Sequence, residues 1–308
     1  MRNIIAIGES VLDTVFRDGQ PVKSFVGGRI ANALASLSTA GMRTFMVSEC
    51  TTDRVGDIIM NFFTAKGVDI HSVDRYPDGS TRLSAIFEDG AEKQIVNYGT
   101  YPEQRFDVVW PRINEDDIVL FGSLYAVDLP QRKRLYELLK YAEERKAILV
   151  YLPGFQHGIG FRITHVMPNL LENLELSSLV LAHQSDISFI FPGEQGEEAY
   201  HNHIEFYDNS FVYIDSSCDV TVFNGSQKHH ADTAATVKNM LGWQSGLTAG
   251  IIYQLVTLDI THEQLPMLTA DQWRGIIAQA QQWAQNSEAS ADNCIDPDFA
   301  KQHITDND

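Results

Sequence analysis

At 308 residues, with 44% hydrophobic and 21% charged residues, the chain can bury a full core as one large α/β domain or two smaller ones. Its 41 acidic against 23 basic residues give a formal charge of −18, which excludes a general nucleic-acid binder, because phosphate backbones demand a basic footprint. An anionic ligand must therefore find local positive potential, and Lys23, Arg29, Arg43 and Lys238 are the candidate suppliers.

In chain order, Asn3 to Ile7 is a short β-branched run ending at Gly8, the pattern of a buried strand. An irregular segment follows. Gly27-Gly28 then leads into a helix from about Arg29 to Ala40, with Ile30, Leu34 and Leu37 on one face and Gly41 as its stop. Thr44 to Val47 is a strand, Asp57 to Lys66 a helix ended by Gly67, and Val68-Asp69 the start of the next strand. Leu83–Glu88 and Lys93–Tyr98 flank Asp89-Gly90 and read as a hairpin. Strands are expected at Asp117–Phe121, Ala147–Tyr151, Leu179–Ala182 and Phe211–Ile214, with a helix at Gln131–Arg145. The chain closes with helices at Leu247–Val256 and about Asp271–Gln285. This alternation implies a largely parallel sheet covered on both faces. The hairpin breaks the rhythm and must pack on something or pair with a partner. Three cysteines form no framework, no basic leader precedes Ile4, and no apolar run reaches spanning length, so the expected setting is the cytoplasm, away from membranes.

Two segments suggest a ligand site. In Gly27-Gly28-Arg-Ile-Ala-Asn32 the paired glycines permit close backbone approach, and Asn32, one turn in, can bind hydroxyls; the same residues also suit a tight turn and a solvated helix position. Asp13, just past the first strand, can accept two sugar hydroxyls or act as a turn cap. A third segment, Gly242 to Gly250 followed by Ile251–Leu255, reads as a glycine-punctuated turn opening an apolar helix. That arrangement aims free N–H groups at an anion. It contains no acid, whereas a kinase needs a group to take the proton of the attacking hydroxyl. His201-x-His203 and His229-His230 lack convincing further metal ligands and read as surface histidines.

The order of these pieces resembles the ribokinase, or PfkB-type, carbohydrate kinases. The likeness runs through Gly8-Glu9…Asp13, Gly27-Gly28-x-x-x-Asn32, Thr52–Asp57 with Lys66–Asp69, Asp117–Ser123, Gly242–Leu255 and Asp292–Ala300. It implies a single three-layer α/β domain over residues 1–308, with a mostly parallel sheet and a small β-lid from segments at approximately 14–26 and 81–100. It further implies Mg-ATP as phosphoryl donor and a sugar or nucleoside as partner, contacted by Asp13, Gly27, Gly28 and Asn32. A homodimer through the lid would also be in keeping.

Departures from the family pattern accompany these matches. The closing signature has Asp-Thr, one residue, Gly-Ala-Gly and a catalytic Asp. Aligned on Ala249-Gly250, it falls with Ser245 at the catalytic Asp, and Gly242, Trp243, Gln244 and Gly246 as the anion-binding residues. A serine hydroxyl without an activator is no general base at neutral pH. Asp232-Thr233 offers a second register, which on this reading requires an insertion before the helix. The metal-linked Asn-x-x-Glu falls at His183–Asp186, leaving Asp186 as the candidate metal ligand, and Thr-x-Gly becomes Asp215-Ser-Ser217. The expectation is a carbohydrate kinase whose activity is weak or lost, or else a non-catalytic sugar- or nucleoside-binding regulator or scaffold on the same fold.

Overall fold

A computed structural model describes residues 2–89, 92–102, 108–154, 163–233 and 236–303. Short β-branched runs build a nine-stranded sheet. Its strands are β1 (Asn3–Ile7), β4 (Arg43–Thr51), β5 (Asp69–Tyr76), β8 (Ile118–Gly122), β9 (Ile148–Leu152), β10 (Leu179–His183), β11 (Ser210–Ile214), β12 (Val220–Asn224) and β13 (Gln227–Ala231). They lie in the order β13-β12-β11-β10-β9-β8-β1-β4-β5. All neighbours run parallel except the β11–β12 and β12–β13 pairs. From β1 the chain builds outward to β4 and β5, then returns to β8 on the other side. The order therefore reverses between β1 and β8, the place where open α/β sheets leave a crevice.

Side chains alternate between two cores, as strand periodicity requires. Ile4, Ala6, Ile118, Leu120, Ile148 and Val150 face one side, where they meet α1 (Arg29–Thr39), α2 (Arg54–Lys66), α7 (Met240–Thr257) and α8 (Ala270–Ala289). Ile5, Ile7, Val119, Phe121, Leu149 and Tyr151 face the other, against α3 (Leu129–Glu143) and α4 (Ile163–Leu176). The result is three layers around a sheet hydrophobic on both faces. Short helices α5 (Gln184–Ile190), α6 (Gly196–Ala199) and α9 (Pro297–His303) complete the covering. Fully buried Trp243, Trp273 and Trp283 lie on the α7–α8 side, each burial contributing on the order of 3 kcal/mol. No described helix is long and apolar enough to cross a membrane.

A second sheet of four strands stands apart, in the order β3-β2-β6-β7, from β2 (Val11–Arg17), β3 (Gln20–Gly27), β6 (Ser80–Asp89) and β7 (Glu92–Thr100). The segment read as irregular after Gly8 is thus an antiparallel hairpin, β2–β3. The expected 83–98 hairpin gains its packing by pairing β6 in parallel with β2, and Gly90 of its turn lies outside the described residues.

A correction concerns α7. It starts at Met240, seven positions before the expected Leu247, because the Asn239 side chain caps it by accepting from the Gly242 N–H at 3.3 Å. The glycine-rich segment expected to be a turn is therefore already helix. Gly242, Gly246 and Gly250 recur every four residues along one face, where α8 lies against them. A Cβ on Gly246 would stand 2.5 Å from the Trp283 carbonyl oxygen, and one on Gly250 2.6 Å from the Ala280 Cα. These glycines let two helices touch backbone to backbone.

Candidate active site

A cavity of about 830 Å³ separates the small sheet from the C-terminal ends of the central strands. Period-two alternation makes its roof: Val11, Asp13 and Val15 of β2, Lys23 and Phe25 of β3, Ser84 and Ile86 of β6, and Ile95 and Asn97 of β7. Its floor comes from Glu9 after β1, Ser123 after β8, Gly154 after β9 and Gly28-Arg29 at the start of α1. One wall is the approach to α7, Lys238–Leu241, and another is the end of α8, at Glu288 and Ser290.

Asp13 is 7% exposed and lines the cavity. Its carboxylate occupies the space in front of Gly27, where a Cβ would fall 2.0 Å from Oδ2. Gly28 caps α1 with φ of 108°, and a Cβ there would meet the Glu9 carbonyl oxygen at 3.0 Å. Both glycines therefore keep Asp13 and the chain after β1 close to the first turn of α1. The structure brings Asp13, Gly27 and Gly28 together. It does not bring Asn32 to the cavity: that side chain is fully buried within α1, and neither amide atom finds a hydrogen-bond partner among the described residues.

Sequence reading missed several polar neighbours because they come from distant segments. The Arg82 guanidinium donates to Glu9 at 2.7 Å, and Ser84 Oγ donates to Asn97 Oδ1 at 2.7 Å. Burial works against the charge on Arg82, but Glu9 and its other acidic neighbours outweigh it and raise the pKa.

The α7 end requires a second correction. Trp243, Gln244, Ser245, Gly242 and Gly246 are all buried in the helix, away from the cavity. Ser245 is 0% exposed and its Oγ donates to the Leu241 carbonyl at 2.8 Å, a bond within its own helix. The cavity instead meets Lys238, Asn239, Met240 and Leu241. The Asp232-Thr233 register needs no insertion, since α7 starts only two residues after Lys238. Thr233 is anchored through its N–H to Asp219 at 2.6 Å and through its hydroxyl to the Cys218 carbonyl at 2.6 Å, while residues 234 and 235 lie outside the described residues.

Asp186 is fully buried, and its carboxylate accepts the His183 N–H at 3.0 Å as half of the capping box of α5. It also faces Arg29 at 3.5 Å. These contacts give Asp186 a structural part; it does not line the cavity where the candidate metal was expected. Burial lowers the pKa of the adjacent His183, so this ring stays neutral near pH 7. Asp215 spends Oδ1 on the N–H groups of Ser217 and Asp219, closing the turn after β11. Among the described residues, Asp219, His230 and Asp232 can each offer one metal-ligating atom, all within 4.8 Å of one another, on an open surface. The three cysteines are free and buried, and burial pushes the Cys294 thiol up to about 12.

A doubly covered parallel sheet, a cavity at its strand-order reversal and an acid held over a glycine pair define the ribokinase-like class of α/β proteins. The chain belongs to the pfkB family of carbohydrate kinases, whose profile matches residues 1–242 and so ends in the first turn of α7. By sequence it is 22% identical over 146 residues to the "putative sugar kinase PH1459" of Pyrococcus horikoshii, covering 44% of this chain and 47% of that protein. It is 23% identical over 137 residues to a 5-dehydro-2-deoxygluconokinase of Clostridium perfringens, covering 41% and 39%. The matched segments thus span less than half of these curated relatives. By structure, the uncharacterized sugar kinase PH1459 superposes with a TM-score of 0.77 at 14% identity, over 98% of this chain and 97% of that one. A Vibrio cholerae fructokinase bound to fructose, ADP and potassium superposes with a TM-score of 0.76 at 16% identity, over 95% and 92%. At these identities the superpositions speak for the fold.

Proposed function

We propose that the cavity binds a sugar or nucleoside through its hydroxyls, that the four-stranded sheet closes over it as a lid, and that phosphoryl transfer from Mg-ATP is weak or lost. Asp13 is the hydroxyl acceptor, with Gly27 and Gly28 giving it room. One observation carries the reading of impaired transfer. Counted from Asp232-Thr233, the family spacing of Asp-Thr, one residue, three small residues and the catalytic acid ends on Lys238. The family match ending at Gly242 favours this register over the one ending at Ser245. An ammonium group cannot take a proton from an attacking hydroxyl, and loss of a general base costs about 10²–10⁴-fold. Glu288 is the carboxylate beside Lys238, and its Oε1 is engaged by the Lys238 and Asn239 N–H groups at 2.5 and 3.3 Å.

A coupled assay of ADP release over a panel of sugars and nucleosides tests this. Turnover below about 1 s⁻¹ is expected throughout; any substrate turned over within the usual kinase range of about 1–100 s⁻¹ sinks the reading of impaired transfer. In parallel, a sugar or nucleoside should raise the melting temperature of the wild type but not of Asp13→Asn. The absence of stabilisation by every member of the panel would remove the binding half of the proposal.

A further inference from the structure

We infer that Asp219, His230 and Asp232 bind a divalent transition-metal ion of the zinc type, at the antiparallel edge of the main sheet. None of the three lines the cavity. In sequence His230 has only His229 beside it, and the fold supplies the missing ligands. The β12–β13 pair sets Thr221 opposite His230 and Val222 opposite His229. Side chains alternate along a strand, so the two histidines take opposite faces. Around His229, burial and then the Arg274 guanidinium of α8 lower the pKa. His230 takes the other face, where Asp219 comes from the turn before β12 and Asp232 directly follows β13. Each residue offers one ligand atom, and the three atoms lie within 4.8 Å of one another.

The imidazole is already aimed. Its Nδ1 lies 2.9 Å from the Thr221 hydroxyl, and with Nδ1–H donating there the Nε2 lone pair is turned to the carboxylates. A metal-bound histidine is oriented by just such a partner on its second nitrogen. Nε2 stands 3.3 Å from Asp232 Oδ1, longer than the roughly 2.7–2.9 Å of a charge-assisted hydrogen bond. Two lone pairs then face each other, and a cation between them removes the repulsion. Zinc bonds of about 2.0–2.2 Å place tetrahedral ligand atoms about 3.4 Å apart, so this edge already has the length of a metal site. Asp219 is held by the Thr233 N–H at 2.6 Å, and a carboxylate has lone pairs to spare beyond that one bond. Among the described residues no lysine or arginine pairs with Asp219 or Asp232. The surroundings are negative as well: burial and then Asp215, Glu288 and Asp219 push the nearby Cys218 thiol up to about 11. An imidazole with two carboxylates suits a transition metal better than the all-oxygen sets of magnesium and calcium. Bound there, the ion pins the chain leaving β13 to the turn after β11, on the segment that runs on to Lys238 and α7.

Titration of the full chain with Zn²⁺, after stripping with EDTA, tests the assignment. One equivalent should bind with a Kd of about 10 μM or tighter and should survive a roughly hundredfold excess of Mg²⁺. It should also raise the melting temperature. His230→Ala and Asp232→Asn, both at exposed positions, should each weaken binding about tenfold or more. Thr221→Val keeps the shape but removes the partner of Nδ1, and should cost about 10-fold, the lower end of the effect of such partners. His229→Ala, on the opposite face, and His201→Ala, at the other histidine pair, should leave the affinity unchanged. Melting of each metal-free variant at the wild-type temperature shows that the fold is intact. Absence of a saturable equivalent, or undiminished binding in any of the first three variants, overturns the inference. Equal competition by Mg²⁺ overturns it in favour of a general acidic patch, and loss in His201→Ala in favour of the His201–His203 surface.

Discussion

Two glycine clusters stand before or within apolar helices in this chain, and they serve opposite ends. Gly27-Gly28 precedes α1, and what lies in front of it is the Asp13 carboxylate and the chain leaving β1, both at the cavity. Gly242, Gly246 and Gly250 lie inside α7, and what lies in front of them is the backbone of α8. One cluster makes room for a charged side chain beside a ligand, and the other for a neighbouring helix. A glycine-rich stretch next to an apolar run can be an anion cradle only if the helix begins after it. In α7 the Asn239 cap starts the helix first, and that moves the cavity contact back to Lys238–Leu241.

The contrast breaks most sharply at Gly246. Gly246→Leu would drive a branched side chain into a space where even a Cβ stands 2.5 Å from the Trp283 carbonyl oxygen. Overpacking a core costs about 1–3 kcal/mol, and a backbone obstacle that cannot rotate away puts this variant at or above the top of that range. Urea denaturation should show the midpoint falling with little change in slope. A midpoint equal to the wild type would end the helix-contact account of these glycines. Gly27→Ala should act the other way, on the ligand more than on the fold. Its Cβ would fall 2.0 Å from Asp13 Oδ2, the end of a side chain that can swing aside. Affinity for the polyol should drop about tenfold or more, with a stability loss of about 1 kcal/mol. Unchanged affinity would mean that the position of Asp13 is irrelevant to binding.

The sheet was legible because β1, β8, β9, β10 and β11 are short β-branched runs bounded by glycine or polar residues, and burial on both faces erases any alternation that could mislead. The β2–β3 hairpin was not legible. Pro21 and several polar residues occupy β3, and four of its eight residues are exposed, so no hydrophobic period marks it. Asp13 and Gly28 were found because they belong to local motifs near a strand end. Ser123, Gly154 and Glu288 reach the cavity from segments far apart in sequence, and nothing local distinguishes them. The start of α7 was misjudged for a different reason. Glycines are weak helix formers, so a window holding Gly242, Gly246 and Gly250 reads as loop until the α8 backbone is seen filling the groove.

The smallest effect sharpens the comparison from inside α7. Ser245→Ala removes one hydroxyl that donates to the Leu241 carbonyl one turn earlier, in a residue with no exposed surface. The carbonyl keeps its place in the helix ladder, so stability should shift by no more than about 1 kcal/mol, and such back-bonding serines can even strain a helix slightly. Affinity for sugars and nucleosides should not move, because Ser245 lies beneath the cavity lining and away from it. The same variant titrated against the polyol panel therefore separates the two registers of the closing signature. A tenfold loss of ligand affinity in Ser245→Ala would return position 245 to the site, and Lys238 would lose its claim to the place of the proton acceptor.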